Sequence, residues 1–214
     1  MKPANILLIS TAMMAAAGCA PRTAVKAMPS VPTIVADVCA QCHGATGTST
    51  SADIPNLAGQ HAEYLVRQLR AFRDHSRSDA LGAQNMWKAS HHLDDPQIDA
   101  TAAYYATRTP LRQPVLGTPA QIAAGEKIFF GAAQKQGVPP CSGCHGSDGV
   151  GKTLFPRLAG QHMRYLVTQL TVFQRSEQRP DGAVMMSVSH ALGDEDIANA
   201  AAFLQSLPGG AVAQ

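Results

Sequence analysis

Cys39-Ala40-Gln41-Cys42-His43 and Cys141-Ser142-Gly143-Cys144-His145 are the stretches of this chain whose residue types and spacing specify a chemistry. Each reads Cys-x-x-Cys-His, the attachment motif of c-type haem. Two thiols three positions apart lie on one helical turn, so each reaches one vinyl group of a porphyrin and forms a thioether. The histidine that follows is then held beneath the iron as an axial ligand. Disulfides account for paired cysteines in an oxidising compartment, and a zinc site built from four cysteines accounts for two pairs elsewhere. Neither explains a histidine directly after both pairs. Two blocks therefore imply two covalently bound haem c groups, and two irons imply electron transfer.

An iron with histidine below it needs a ligand above. Methionine raises the reduction potential, because a soft thioether favours ferrous iron. Met86 stands seven residues before Leu93, and Met185 stands seven before Leu192, so the two correspond and are the expected sixth ligands. Met186, which aligns with Trp87, is the rival of Met185. A methionine ordinarily fills core gaps, but the residues around Met86 and Met185 are polar and read as loop. Met163 has Ala62 as its counterpart and reads as packing or surface. Histidines recur as well: His61 with His162, and His91 with His190. Ligation by His91 and His190 is the alternative, and a bis-histidine iron has a much lower potential. His61 lies at a helix start, badly placed to cross to the far face of a haem. His75 and His92 lack a histidine counterpart and are expected to face solvent.

The elements that must position these groups occur twice. The segment 55–69, Pro-Asn-Leu-Ala-Gly-Gln-His-Ala-Glu-Tyr-Leu-Val-Arg-Gln-Leu, matches 156–170 at 11 of 15 positions. The haem blocks precede these segments by nearly equal distances, and Ser90-His91-His92-Leu93 answers Ser189-His190-Ala191-Leu192. Two copies make a duplicated module rather than a solenoid. Domain boundaries follow: residues 33–109 form module one, 110–118 a Pro- and Gly-containing linker, 119–207 module two, and 208–214 a tail. Leu65, Leu69 and Phe72 recur at helical spacing, as do Leu166, Leu170 and Phe173. A closing helix starts near Asp94, with Gln97 completing a capping box and Pro96 in the first turn. Ile98, Ala102 and Tyr105 share its inner face. Its counterpart carries Ile197, Ala201 and Leu204 behind the acidic start Asp194-Glu195-Asp196. A further helix is predicted from Pro119 to Gly131. No segment alternates with period two, so the fold class is all-α.

Aromatic residues make up only 5% of the chain, thin for two independent cores, and two porphyrins would supply the missing apolar centres. The net charge of +2 gives no basic patch for nucleic acid. Residues 1–18 read as a signal peptide, with Lys2 ahead of an apolar run over 6–17. That run is too short to span a bilayer as a helix. The chain is therefore expected to be exported, then soluble or surface-anchored. Ala16-Ala17-Gly18-Cys19 resembles a bacterial lipoprotein cleavage box, with Ala16 where leucine is usual. A lipidated Cys19 would anchor the chain to the membrane surface, leaving 19–32 as a tether. Removal of Cys19 with an ordinary signal peptide is the alternative.

Two tandem modules, each with Cys-x-x-Cys-His, Pro-x-Leu-Ala-Gly-Gln, Tyr-Leu-x-x-Gln-Leu, a methionine segment and a closing helix, resemble the two-haem cytochrome c4 family of class I cytochromes c. The resemblance covers nearly the whole expected mature chain. It implies two cytochrome c domains, each wrapped around a haem with histidine–methionine ligation. It implies that His43 and His145 donate their other ring nitrogen to the carbonyls of Pro55 and Pro156. It also implies arginines beside the haem propionates, for which Arg77 and Arg179 are the nearest matches; otherwise these are solvated charges at helix ends. The first haem block follows a shorter lead-in than the second, which implies an abbreviated first helix.

The function implied is that of a single-electron carrier without substrate chemistry of its own. Its donor would be a membrane bc complex or a dehydrogenase, and its acceptor a terminal oxidase. The alternative is the cytochrome subunit of a periplasmic oxidoreductase, such as a flavocytochrome c sulfide dehydrogenase. An enzyme in its own right would need an open iron position, and the sequence offers a methionine for each iron.

Overall fold

The computed structural model describes residues 32–133, 137–175 and 177–209. The expected signal peptide, Cys19, almost all of the tether and most of the tail lie outside these residues. Among the described residues no β-strand forms, and Lys152 and Phe155 meet only as an isolated antiparallel bridge. In module one a π-helical turn, Val35–Cys39, runs directly into α1 (Ala40–His43). It is followed by α2 (Ala62–Arg73), α3 (Ala80–Ser90) and α4 (Asp95–Ala106). Module two has a full leading helix, α5 (Pro119–Phe129), before α6 (Ser142–His145). Next come α7 (Met163–Arg175), a 3-10 turn at Pro180–Gly182, α8 (Ala183–Ser189) and α9 (Asp194–Ser206). Among the described residues the lead-in to the first haem block is thus shorter than that to the second.

Local signals set the helix ends. Asp94 Oδ1 accepts from Gln97 N–H at 2.8 Å while Gln97 Oε1 accepts from Asp94 N–H at 3.0 Å, the reciprocal pairing expected at the start of α4. Thr118 and Gln121 repeat it at α5, with Pro119 in the first turn. α2 packs against α3 and α4, α7 packs against α8 and α9, and α5 lies along α9. Gly125 permits that last contact, because a Cβ there would run into the backbone of Asn199.

The core of module one gathers Val35, Leu65, Ala102, Tyr104 and Tyr105, with Cys39 against its edge. In module two Phe129, Leu166, Ala201, Phe203 and Leu204 pack together, with Cys141 and Met163 at the edge. Ile98, Ala102 and Tyr105 are buried as their spacing predicts, as are Ile197, Ala201 and Leu204. The linker is held on α9, where Leu116 N–H donates to Gln205 Oε1 at 3.2 Å.

One expectation is corrected. The segments carrying Met86 and Met185 are helices, α3 and α8, not loops. Ala80, Leu81, Ala83, Gln84, Met86, Lys88 and Ala89 are strong helix formers, and that propensity outweighs the lack of a clean apolar stripe. The two helices end alike. Ser90 Oγ donates to Met86 O at 2.6 Å, and Ser189 Oγ donates to Met185 O at 2.7 Å. Both serines are fully buried. This shared bond sets Met86 and Met185, rather than Met186, at equivalent positions.

Candidate haem centres and the interface between the modules

Each Cys-x-x-Cys-His block winds into a single helical turn that ends at its histidine. The chain then reverses at a glycine with positive φ, 76° at Gly44 and 77° at Gly146. A Cβ at Gly44 would strike the Thr48 carbonyl, so only glycine fits. In module one the turn is pinned from α4: Tyr104 Oη donates to Ala45 O at 2.9 Å and Tyr105 Oη to Gly44 O at 3.3 Å.

The histidines come out buried and oriented. His43 is 8% exposed and His145 4%. His43 Nδ1 lies 2.9 Å from Pro55 O, and His145 Nδ1 lies 3.0 Å from Pro156 O. A carbonyl can only accept, so Nδ1 carries the proton in both rings and Nε2 keeps its lone pair. Burial lowers the pKa of each imidazole, against a smaller opposing effect of the proline carbonyl. The ring thus stays neutral and available as a ligand. The pairing with Pro55 and Pro156 is the one the resemblance implied.

The thiols suit thioether formation. Cys39, Cys42, Cys141 and Cys144 are all free. Cys42 and Cys144 are exposed, while Cys39 and Cys141 lean on the module cores. Burial pushes the Cys39 thiol up to about 11 and raises that of Cys141 too, so both sulfurs stay protonated until they are joined to haem. Two free sulfurs and one neutral, oriented imidazole per module are the donor set a covalent haem requires. Met86, Met185 and Met186 are half-buried on α3 and α8.

His61 and His162 do something the sequence reading did not anticipate. His61 Nε2 lies 3.0 Å from Val150 O, and His162 Nε2 lies 3.1 Å from Ser49 O, so each binds a carbonyl of the opposite module. His91 and His190 are exposed just beyond α3 and α8, and His75 and His92 face solvent as expected.

The same repeated segment builds the rest of the interface. Gln161 Oε1 accepts from Asn56 N–H at 2.8 Å and its Nε2 donates to Asn56 O at 3.0 Å. Gln60 does the same to Arg157, at 2.8 and 3.1 Å. Deeper in, Arg77 and Arg179 are each 6% exposed, not solvated at helix ends. Arg77 donates to Asp79 Oδ1 at 2.6 Å, to Gln68 Oε1 at 2.8 Å and to Gln169 Oε1 at 3.2 Å. Arg179 donates to Gln169 Oε1, to Gln68 Oε1 and to Tyr64 Oη. Burial works against the Asp79 carboxylate, but Arg77 and Arg179, with a bond from Gln169, hold its pKa below the usual range. Two guanidiniums thus face one buried carboxylate. The counterpart of Asp79, Asp181, is exposed and meets Arg67 only at 3.8 Å.

Sequence reasoning missed Gln60, Gln161, Gln68 and Gln169 as structural actors. A signal was present, because these polar residues are identical in both copies.

The family model described as Cytochrome c matches residues 31–108 and 122–208. Cytochrome c-552 of Acidithiobacillus ferridurans is 36% identical over 97% of this chain and 90% of its own length. Cytochrome c4 of Pseudomonas aeruginosa is 35% identical over 80% of this chain and 85% of its own. A protein of Thiomonas intermedia named thiosulfate dehydrogenase electron acceptor is 33% identical over 79% of this chain and 78% of its own. The solved cytochrome c4 structure of Acidithiobacillus ferrooxidans superposes with a TM-score of 0.73 at 38% identity, over 79% of this chain and 98% of that one. Two oriented imidazoles, two pairs of free thiols and this likeness along both modules lead to one statement: the chain belongs to the cytochrome c family, as a dihaem class I cytochrome of the c4 kind with two covalently bound haem c groups.

Proposed function

We infer that the protein carries single electrons in a periplasmic respiratory chain, between a membrane bc complex or dehydrogenase and a terminal oxidase. In this reading Cys39 and Cys42 hold the first haem, with His43 and Met86 as axial ligands. Cys141 and Cys144 hold the second, with His145 and Met185. The observation that carries the reading is the pair of buried imidazoles, each with Nδ1 bound to a proline carbonyl and Nε2 left for iron. The haems supply the one-electron chemistry. The chain's own residues orient the ligands and exclude water from them, and the surplus guanidinium charge of Arg77 and Arg179 suits haem propionates. No helix among the described residues is long and apolar enough to cross a membrane. Contact with a membrane would rest on a lipid at Cys19.

Spectroelectrochemical titration of the exported holoprotein tests this. Two one-electron waves are expected, with a far-red ferric band from methionine–iron bonding. Met86→Ala and Met185→Ala should each remove about half of that band, and Met186→Ala none. Loss of the band in Met186→Ala but not in Met185→Ala would refute the assignment in module two.

A second reading is that the chain serves one periplasmic oxidoreductase as its cytochrome subunit, with the catalysis on the partner. The Thiomonas intermedia relative, named as a thiosulfate dehydrogenase electron acceptor, favours it. Co-purification with a dehydrogenase that survives high salt would support this reading over a freely diffusing carrier.

A further inference from the structure

The peptide joining Pro55 to Asn56 is engaged at both ends. Its carbonyl accepts from His43 Nδ1 at 2.9 Å, and its N–H donates to Gln161 Oε1, from module two, at 2.8 Å. The peptide joining Pro156 to Arg157 mirrors it. Pro156 O accepts from His145 Nδ1 at 3.0 Å, and Arg157 N–H donates to Gln60 Oε1, from module one, at 2.8 Å. Both glutamines are 6% exposed. Each is anchored at home as well, because its Oε1 also accepts the next backbone N–H, His61 at 3.1 Å and His162 at 3.0 Å.

We propose that Gln161 and Gln60 are positioning residues that tune the haems crosswise, Gln161 acting on the module-one haem and Gln60 on the module-two haem. A peptide whose N–H is bound is polarised, so its carbonyl becomes a stronger acceptor. Such chains strengthen one another, by about 10–30% per bond, most where the dielectric is low. A stronger acceptor at Nδ1 makes the imidazole a more basic ligand. A more basic ligand stabilises ferric over ferrous iron and lowers the potential. Each module therefore completes the ligand support of the other, and each potential depends on the modules being docked. The inference rests on His43 and His145 being the iron ligands.

The test uses the holoprotein with both haems. Gln161→Met and Gln60→Met keep the side-chain length and remove the acceptor. Potentials come from spectroelectrochemistry, assigned to each haem by its hyperfine-shifted methyl resonances. Gln161→Met should favour reduction of the module-one haem by at least about threefold, roughly 28 mV at 59 mV per decade. The module-two haem should move less than half as far. Gln60→Met should give the mirror image. The His43 Nδ1 proton should shift upfield in Gln161→Met, reporting a weaker bond to Pro55. Gln161→Glu keeps an acceptor oxygen and makes it more negative, so the module-one potential should fall. Loss of packing alone cannot give opposite signs for Met and Glu, and the Glu variant carries the test if the Met variants do not fold. Equal shifts at both haems, a shift mainly in the glutamine's own module, no shift, or the same sign for Met and Glu would overturn the proposal. A wild-type protein lacking the histidine–methionine spectrum would instead overturn the ligand reading.

Discussion

Replacing Gly125 with valine should loosen α5 from α9 and destabilise the second module. A Cβ at Gly125 would sit 2.5 Å from the Asn199 carbonyl carbon and 2.8 Å from Phe203 Cβ, and would press on the Asn199 oxygen. Carbon atoms rest about 3.5–4.0 Å apart, so the two helices must separate by about 1 Å, and a gap of that size forfeits a quarter to a half of the contact energy. α5 buries Ile128 and Phe129, each contributing about 1.5–3 kcal/mol. Losing a quarter to a half of that sum costs about 1–3 kcal/mol. Valine recovers only a few tenths of a kcal/mol of helix propensity relative to glycine. The assay is heat unfolding of the holoprotein, followed by far-ultraviolet circular dichroism and the Soret band. For a chain of this length a loss of 2 kcal/mol lowers the midpoint by roughly 4–8 °C. A midpoint unchanged by the substitution would refute the claim that close backbone approach at Gly125 holds α5 on α9.

Two further outcomes follow from the interface. Burial holds the pKa of His162 below its ordinary 6.5, against smaller opposing effects of Ser49 and Asp53. As pH falls through 6.5 the unfolded chain gains a proton that the folded chain excludes. Stability is therefore undiminished above that pH and declines below it, by at most about 1.4 kcal/mol per pH unit. His162→Gln should flatten the dependence of the melting midpoint on pH between about 5 and 7, and an unchanged slope would refute this. Asp79→Asn should cost about 3 kcal/mol in denaturant unfolding at neutral pH, because Arg77 and Arg179 stay buried without their carboxylate. Since the folded pKa of Asp79 lies below its ordinary 3.8, its contribution is present above that pH and drains away as pH falls through the folded value. The variant should therefore lose less stability on acidification than the parent, and equal acid losses would count against the cluster.

Much of this was readable from residue order because it is local. Thioether spacing is three residues, and the Asp94 capping box closes within three more. The helical stripes that bury Ile98, Ala102 and Tyr105 repeat every three or four positions. The duplication itself was legible by identity alone. Even the pairing of His43 with Pro55, 12 residues away, was implied by resemblance. The segment holding Met86 escaped, because its mixed polarity hid a helix formed by propensity and tertiary contact rather than by an apolar stripe.

The amino-acid order by itself determined two haem sites, the all-α class and the twofold repeat, since each depends on neighbours within a turn or two of backbone. Only the tertiary structure decided that Arg77 and Arg179 are buried and that Gln60, Gln161, His61 and His162 bind the opposite module. Those bonds join residues separated by 89 to 113 positions. A polar side chain reads as solvent-facing until folding brings it a partner, and here the glutamines and histidines meet distant backbone groups while Arg77 and Arg179 meet side chains from both modules, which no local pattern records.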